Sequence, residues 1–84
     1  MKFQPLFDNI VVELEEEDTL LRGSEPVFTE NGKVVAIGDD VKVVQEGDIL
    51  GLFKFGVKKI QRNGIKVNTV RELPAFILGK WSNE

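Results

Sequence analysis

Val57-Lys58-Lys59-Ile60-Gln61-Arg62-Asn63-Gly64-Ile65-Lys66-Val67-Asn68-Thr69-Val70 is the stretch that decides the fold. Two runs that alternate apolar and polar residues flank Asn63-Gly64. Both central positions of a two-residue hairpin turn need positive φ, which asparagine and glycine supply, so the stretch predicts a β-hairpin. Working outward, the rest of the chain follows the same short-strand pattern. Asn9-Ile10-Val11-Val12-Glu13-Leu14 places Ile10, Val12 and Leu14 on one face and reads as a half-buried strand. Lys33-Val34-Val35-Ala36-Ile37 is apolar on both faces and reads as a core strand, entered by an Asn31-Gly32 turn and stopped by Gly38. Gly38-Asp39-Asp40 and Glu46-Gly47-Asp48 are turns around a short strand or connector at 41–44, and Ile49-Leu50-Gly51-Leu52-Phe53 is the next strand. Near the end, one helical turn after Pro74 leads into a terminal apolar strand at Phe76-Ile77-Leu78-Gly79. No segment has helical periodicity. The expected fold class is all-β, a small barrel of short strands forming one domain over 1–84.

Composition narrows the function. A chain of 84 residues buries only about 60% of the surface that its unfolded form exposes, so it is marginally stable alone. It has no cysteine and no histidine. The first removes disulfides and thiolate metal sites, and the second removes the commonest general base and transition-metal ligand. Neither a metal, a cofactor nor an enzymatic activity is therefore expected. The carboxylate pairs an enzymatic reading would need, Asp39 with Asp40 or Glu46 with Asp48, read as turn residues. With nothing to staple it, such a chain draws further stability from assembly. The net charge of −3 and pI near 5.0 disfavour a nucleic-acid partner bound through phosphates. Lys58, Lys59 and Arg62 read as the solvated face of one strand. No apolar run is long enough to span a membrane, and the N-terminus has no signal-peptide core, so a cytoplasmic protein is expected.

Two features break the alternation. Glu13-Leu14-Glu15-Glu16-Glu17-Asp18-Thr19-Leu20-Leu21-Arg22-Gly23-Ser24-Glu25-Pro26 carries four successive carboxylates, Glu15 to Asp18, and then two leucines. Four adjacent like charges cannot all be buried, so a long solvated loop is expected over 15–30. Leucines in such a loop either tuck onto the core or wait for a partner, and Pro26-Val27-Phe28 offers a second apolar element. The other feature is the pair of chain ends. Residues 1–7 hold Phe3, Leu6 and Phe7 around Pro5, and because proline cannot donate to a ladder they read as an edge or terminal strand. The far end offers Phe76, Ile77 and Leu78 before a polar tail from Lys80. Either both ends pack on their own barrel, or the last strand of one copy pairs with the first strand of the next. In the second case the contact repeats until a ring closes. Covering Phe3, Leu6, Phe76 and Leu78 then contributes roughly 1.5 to 3 kcal/mol each.

The order and spacing of these segments resemble a known family, the GroES-type (chaperonin-10) co-chaperonins. Gln4-Pro5-Leu6-Phe7-Asp8-Asn9-Ile10-Val11-Val12 is similar to that family's first strand, Pro-Leu-x-Asp-x-aliphatic-aliphatic-Val. Thr19-Leu20-Leu21 falls at the apolar tripeptide of the family's mobile loop. Gly32-Lys33-Val34-Val35-Ala36-Ile37-Gly38 follows its Gly-x-Val-x-Ala-aliphatic-Gly strand with no gap between the two. Glu46-Gly47-Asp48-Ile49-Leu50 and Phe55-Gly56-Val57-Lys58 resemble its Gly-Asp-aliphatic and aromatic-Gly segments. The resemblance covers nearly the whole chain.

That resemblance implies a GroES-like β-barrel that assembles into a heptamer and caps a nucleotide-bound GroEL-type chaperonin, assisting ATP-dependent protein folding. Thr19, Leu20, Leu21 and Arg22 would make the chaperonin contact, and Phe3, Leu6, Phe76, Ile77 and Leu78 the subunit interface. The departures concern reach and shape. Residues are missing before Thr19, and a shorter loop reaches less far, at most about 3.3 to 3.6 Å per residue. Thr19 replaces a larger aliphatic residue, which shifts the contact toward Leu20 and Leu21. Residues 38–46 are too few for the family's roof hairpin, which leaves the apex of a ring open, and such trimming suits a divergent or bacteriophage-encoded member. A reading from another class is a small barrel that binds nucleic acid or peptide through Lys58, Lys59, Arg62 and exposed phenylalanines.

Overall fold

The computed structural model describes residues 2–15 and 28–82. They form six strands: β1 (Asn9–Leu14), β2 (Thr29–Ile37), β3 (Ile49–Phe53), β4 (Lys58–Arg62), β5 (Ile65–Arg71) and β6 (Ile77–Trp81). One 3-10 turn, Lys54–Gly56, joins β3 to β4. The strands make a single sheet in the order β4-β5-β1-β2-β3-β6, and every pairing is antiparallel. The chain is thus all-β. Among the described residues no helix is long and apolar enough to cross a membrane.

The hairpin that decided the reading is β4–β5, with Arg62 paired to Ile65 across Asn63-Gly64. Asn63 and Gly64 have φ of 52° and 82°, the left-handed pair that matches the strands' own twist. On β1, Ile10 and Val12 are buried and Leu14 packs against the same cluster as expected, but Val11 between them is buried too, so the middle of this strand is covered on both faces rather than one. Val34, Val44, Leu50, Leu52 and Val70 complete this core. Its members come from β1, β2, β3 and β5 and from the 38–46 connector, so one small apolar cluster ties the central strands together. Among them Ile10, Val34, Leu50, Leu52 and Val70 are fully buried.

Three expectations are corrected. Asn31-Gly32 is not a turn; both residues lie within β2, where Asn31 pairs with Gly51 and Gly32 pairs with Leu14 on one side and Leu50 on the other. Glycine stands there for space, since a Cβ would sit 3.1 Å from both Leu52 Cδ1 and Val12 Cβ. The N-terminal stretch forms no strand over residues 2–6. Pro5 is buried, and the chain instead turns at Leu6 to Asn9, where the Asn9 N–H donates to the Leu6 carbonyl at 3.1 Å and Phe7 takes φ 60°. Finally, β6 runs on through Lys80 and Trp81, into what read as a polar tail. The 41–44 stretch is a connector rather than a strand.

The loop expected over 15–30 lies largely outside the described residues, but its anchors are visible. The Glu15 N–H donates to the Asn31 carbonyl at 2.9 Å, extending the β1–β2 ladder, and β2 begins at Thr29. Residues 16–27 therefore leave and return at neighbouring positions of adjacent strands.

Candidate functional site

The sheet ends at β4 on one side and β6 on the other. An outer strand presents a row of unpaired backbone groups, so these edges and the apolar residues around them are the surfaces on which a partner could act.

At the β6 edge, the pairing with β3 slips between Gly51 and Leu52, so that Gly79 faces Gly51 and Ile77 faces Leu52. Leu78 is the extra residue of this bulge and is 59% exposed. Opposed glycines leave a groove of about 280 Å³ on the outer face, lined by β2, β3 and β6 residues including Asn31, Leu78 and Trp81. Trp81 is 67% exposed, yet its indole is fixed, because Nε1 donates to Asn31 Oδ1 at 2.9 Å. Lys80 bridges to Asp48 at 3.5 Å, a pair too exposed to add much stability.

Of the five residues expected at a subunit interface, the structure separates two groups. Phe3, Leu6 and Leu78 are exposed. Phe76 and Ile77 pack against the chain's own core. Phe76 lies edge-on to Phe55, with ring centroids 6.1 Å apart, and Phe55 stacks on Phe53 at 5.2 Å. A Cβ at Gly56 would come within 2.7 Å of the Phe76 ring, so only glycine admits the ring there. With Lys2 and Gln4, Phe3 borders a groove of about 290 Å³ against Ile60, Gln61, Arg62, Ile65 and Val67 of the β4–β5 hairpin. Phe3 thus lies beside the β4–β5 hairpin, whereas Leu6 lies against Gly38, just past β2 in the middle of the strand order.

Thr19, Leu20, Leu21 and Arg22, the expected chaperonin-contacting residues, lie outside the described residues, as does Val27. Phe28 is described: it is 68% exposed, and its carbonyl accepts from the Lys54 N–H at 2.9 Å. The carboxylates of the two candidate enzymatic pairs sit in or beside turns. Asp39 and Asp40 occupy the turn after Gly38, and Asp48 Oδ2 accepts from the Gln45 N–H at 2.9 Å.

Two features were missed from sequence. The first is a carboxylate clasp. Glu72, just past β5, accepts from three successive backbone N–H groups of the connector: Lys42 at 2.9 Å, Val43 at 2.8 Å and Val44 at 3.2 Å. Burial pushes its carboxyl up and the three donors pull it down, and the net position is below the ordinary glutamate value. Nothing in the sequence flags this, since the donors are main-chain groups of residues 42–44. The second is charge segregation, and here a signal was present. Residues 49–71 carry Lys54, Lys58, Lys59, Arg62, Lys66 and Arg71 and no Asp or Glu, in a chain of net charge −3. Arg71 is paired with Asp8 at 3.1 Å. The other five are spread over the 3-10 turn and the hairpin, and every residue of β4 is exposed.

The chain matches no family model and no curated protein.

Proposed function

We propose that the protein is a co-chaperonin: a ring-forming lid that caps a GroEL-type chaperonin and has no chemistry of its own. One observation supports this reading above the others. A single copy carries two exposed apolar elements outside its own strand pairing, the β6 edge with Leu78 and Trp81 and the N-terminal segment with Phe3 and Leu6, which forms no strand. Because neither pairs within the described sheet, the N-terminal segment of one copy can serve the β6 edge of the next. Such a head-to-tail contact closes into a ring when its rotation divides the circle. Phe76 and Ile77 then support the edge from behind, and Phe3, Leu6 and Leu78 form the contact itself.

The sheet curls into a small barrel in this reading. The tight seat of Phe76 over Gly56 supports the curl, because it links the residue before β6 to the turn before β4. Seven copies follow from the family resemblance. Each would project residues 16–27 from the adjacent ends of β1 and β2, with Thr19, Leu20, Leu21 and Arg22 entering an apolar groove of the chaperonin. A single tripeptide binds weakly. Loops linked on one ring make later contacts intramolecular, and gains of about 10² to 10⁴ over a single contact are ordinary where geometry permits. Binding to one nucleotide state and release from the other require only that the groove be offered differently in the two.

The test is nucleotide-dependent capture of the full chain on an immobilised chaperonin. Capture with ATP, loss without it, and loss in the Leu20→Asp, Leu21→Asp double variant are the expected results. Unchanged capture of that variant would move the contact to Val27 and Phe28, and no capture under any nucleotide would overturn the reading.

A further inference from the structure

The basic hairpin plays no part in a lid, yet its geometry is that of a binding edge. β4 is an outer strand, none of the described strands pairs with its far side, and all five of its residues are exposed. About half of an outer strand's peptide groups point away from the sheet. Alternation puts Lys58, Ile60 and Arg62 on one face of β4 and Lys59 and Gln61 on the other. Lys66, opposite Gln61 on β5, adds a cation beside Lys59. A strand added along β4 would therefore meet positive charge above and below its own plane. Next to it lies the groove of about 290 Å³, with Phe3, Ile60, Ile65 and Val67 as its apolar lining and Lys2 and Arg62 among its polar neighbours.

We propose that the outer edge of β4 and the groove beside it form a docking site for an extended acidic peptide segment, which adds to the sheet as a further strand and seats one apolar side chain against Phe3, Ile60, Ile65 and Val67. Main-chain hydrogen bonds hold such a segment, and the groove and the cations select it. Charge complementarity argues for this occupant: residues 49–71 hold no carboxylate that could neutralise their own cations. Single-stranded nucleic acid is the other polyanion to weigh. It binds by stacking successive bases on aromatic rings, at about 1 to 3 kcal/mol per base, and Phe3 is the one aromatic ring lining this groove. The acidic remainder of the chain also repels a long polyanion more than a short peptide. Phe3 is the one residue this site shares with the ring contact proposed above; in a closed ring the docking surface is the β4 edge with its cations and Ile60, Ile65 and Val67.

The probe is a short fluorescein-labelled peptide of alternating glutamate and valine with a central leucine, titrated with the full chain and followed by anisotropy. Saturable binding that weakens with salt is expected. Lys59→Glu with Arg62→Glu should weaken it by about tenfold or more, whereas Lys33→Glu on β2 should leave it unchanged. Both β4 positions are exposed, so the double variant keeps its fold, and far-ultraviolet circular dichroism checks this. Strand addition is read separately: β4 amides gain protection from hydrogen exchange with the peptide bound, and a peptide N-methylated at alternate residues fails to bind. Equal affinity of wild type and the charge-reversed variant overturns the proposal. So does tighter binding of an oligothymidylate of equal charge, which would make nucleic acid the occupant.

Discussion

Replacing Glu72 by alanine tests how the connector is held, and the cost can be worked from the bonds it removes. The carboxylate accepts from the N–H groups of Lys42, Val43 and Val44 at 2.8 to 3.2 Å. A hydrogen bond to a charged group contributes about 1.5 to 3 kcal/mol when its loss leaves the partner dry. Lys42 and Val43 are exposed, so water replaces most of what they lose, whereas Val44 is buried in the core. The three together therefore come to about 2 kcal/mol rather than their full sum. In a domain of this size that lowers Tm by roughly 10 °C. The pH dependence has a definite sign. The folded carboxyl sits below its ordinary value, so its contribution is complete above the unfolded pKa of about 4.3 and disappears as pH falls through the folded value. Urea unfolding of dilute wild type and Glu72→Ala, followed by Trp81 fluorescence, should show the full gap at neutral pH and none in strong acid. A variant as stable as wild type at neutral pH, or a gap that persists undiminished in strong acid, would refute the clasp.

Gly38→Ala should destabilise more severely than an ordinary surface change. A Cβ there would stand 2.3 Å from the Phe7 carbonyl oxygen and 2.8 Å from the Leu6 carbonyl carbon, and this backbone is fixed by the bonds from Asn9 to Leu6 and from Asp40 to Phe7. A loss of about 3 kcal/mol is expected by thermal unfolding. Phe7→Asn acts in the opposite direction on the single chain: φ 60° is strained for phenylalanine and tolerated by asparagine, so a gain of about 0.5 to 1 kcal/mol is expected in dilute denaturation. The Leu20→Asp, Leu21→Asp variant should unfold at the wild-type temperature and form the same assembly, and lose only chaperonin capture. Unfolding temperature and native mass would expose any other effect.

Much of this architecture is legible because it is written in local chemistry. Asn63-Gly64 marks the hairpin since few other residue pairs accept its turn, and the alternation of Ile10, Val12 and Leu14 names the inward face of β1. The same dipeptide misleads at Asn31-Gly32, where the glycine is present for close packing between Val12 and Leu52 rather than for a turn. A glycine's reason lies in what stands opposite it, which the sequence does not show. Residues 2–6 failed to form the expected strand for a related cause: a buried Pro5 and the turn at Phe7 take the chain off the sheet. The polar tail became strand because Trp81 reaches across β3 to Asn31, a contact set by register. Of the five residues expected at a subunit interface, Phe3, Leu6 and Leu78 are exposed. The division that places Phe76 and Ile77 behind the edge required the fold, as did the Glu72 clasp. The charge block at residues 49–71 is legible by simple counting, and it extends beyond Lys58, Lys59 and Arg62 to Lys54, Lys66 and Arg71.

The lid reading stands or falls first on assembly. Native mass spectrometry of the full chain across a dilution series measures it directly. The account predicts one closed species of seven copies that persists on dilution and dissociates when Leu78→Asp charges the β6 edge. A monomer at every concentration would contradict it, because the two apolar edges would then need no second copy.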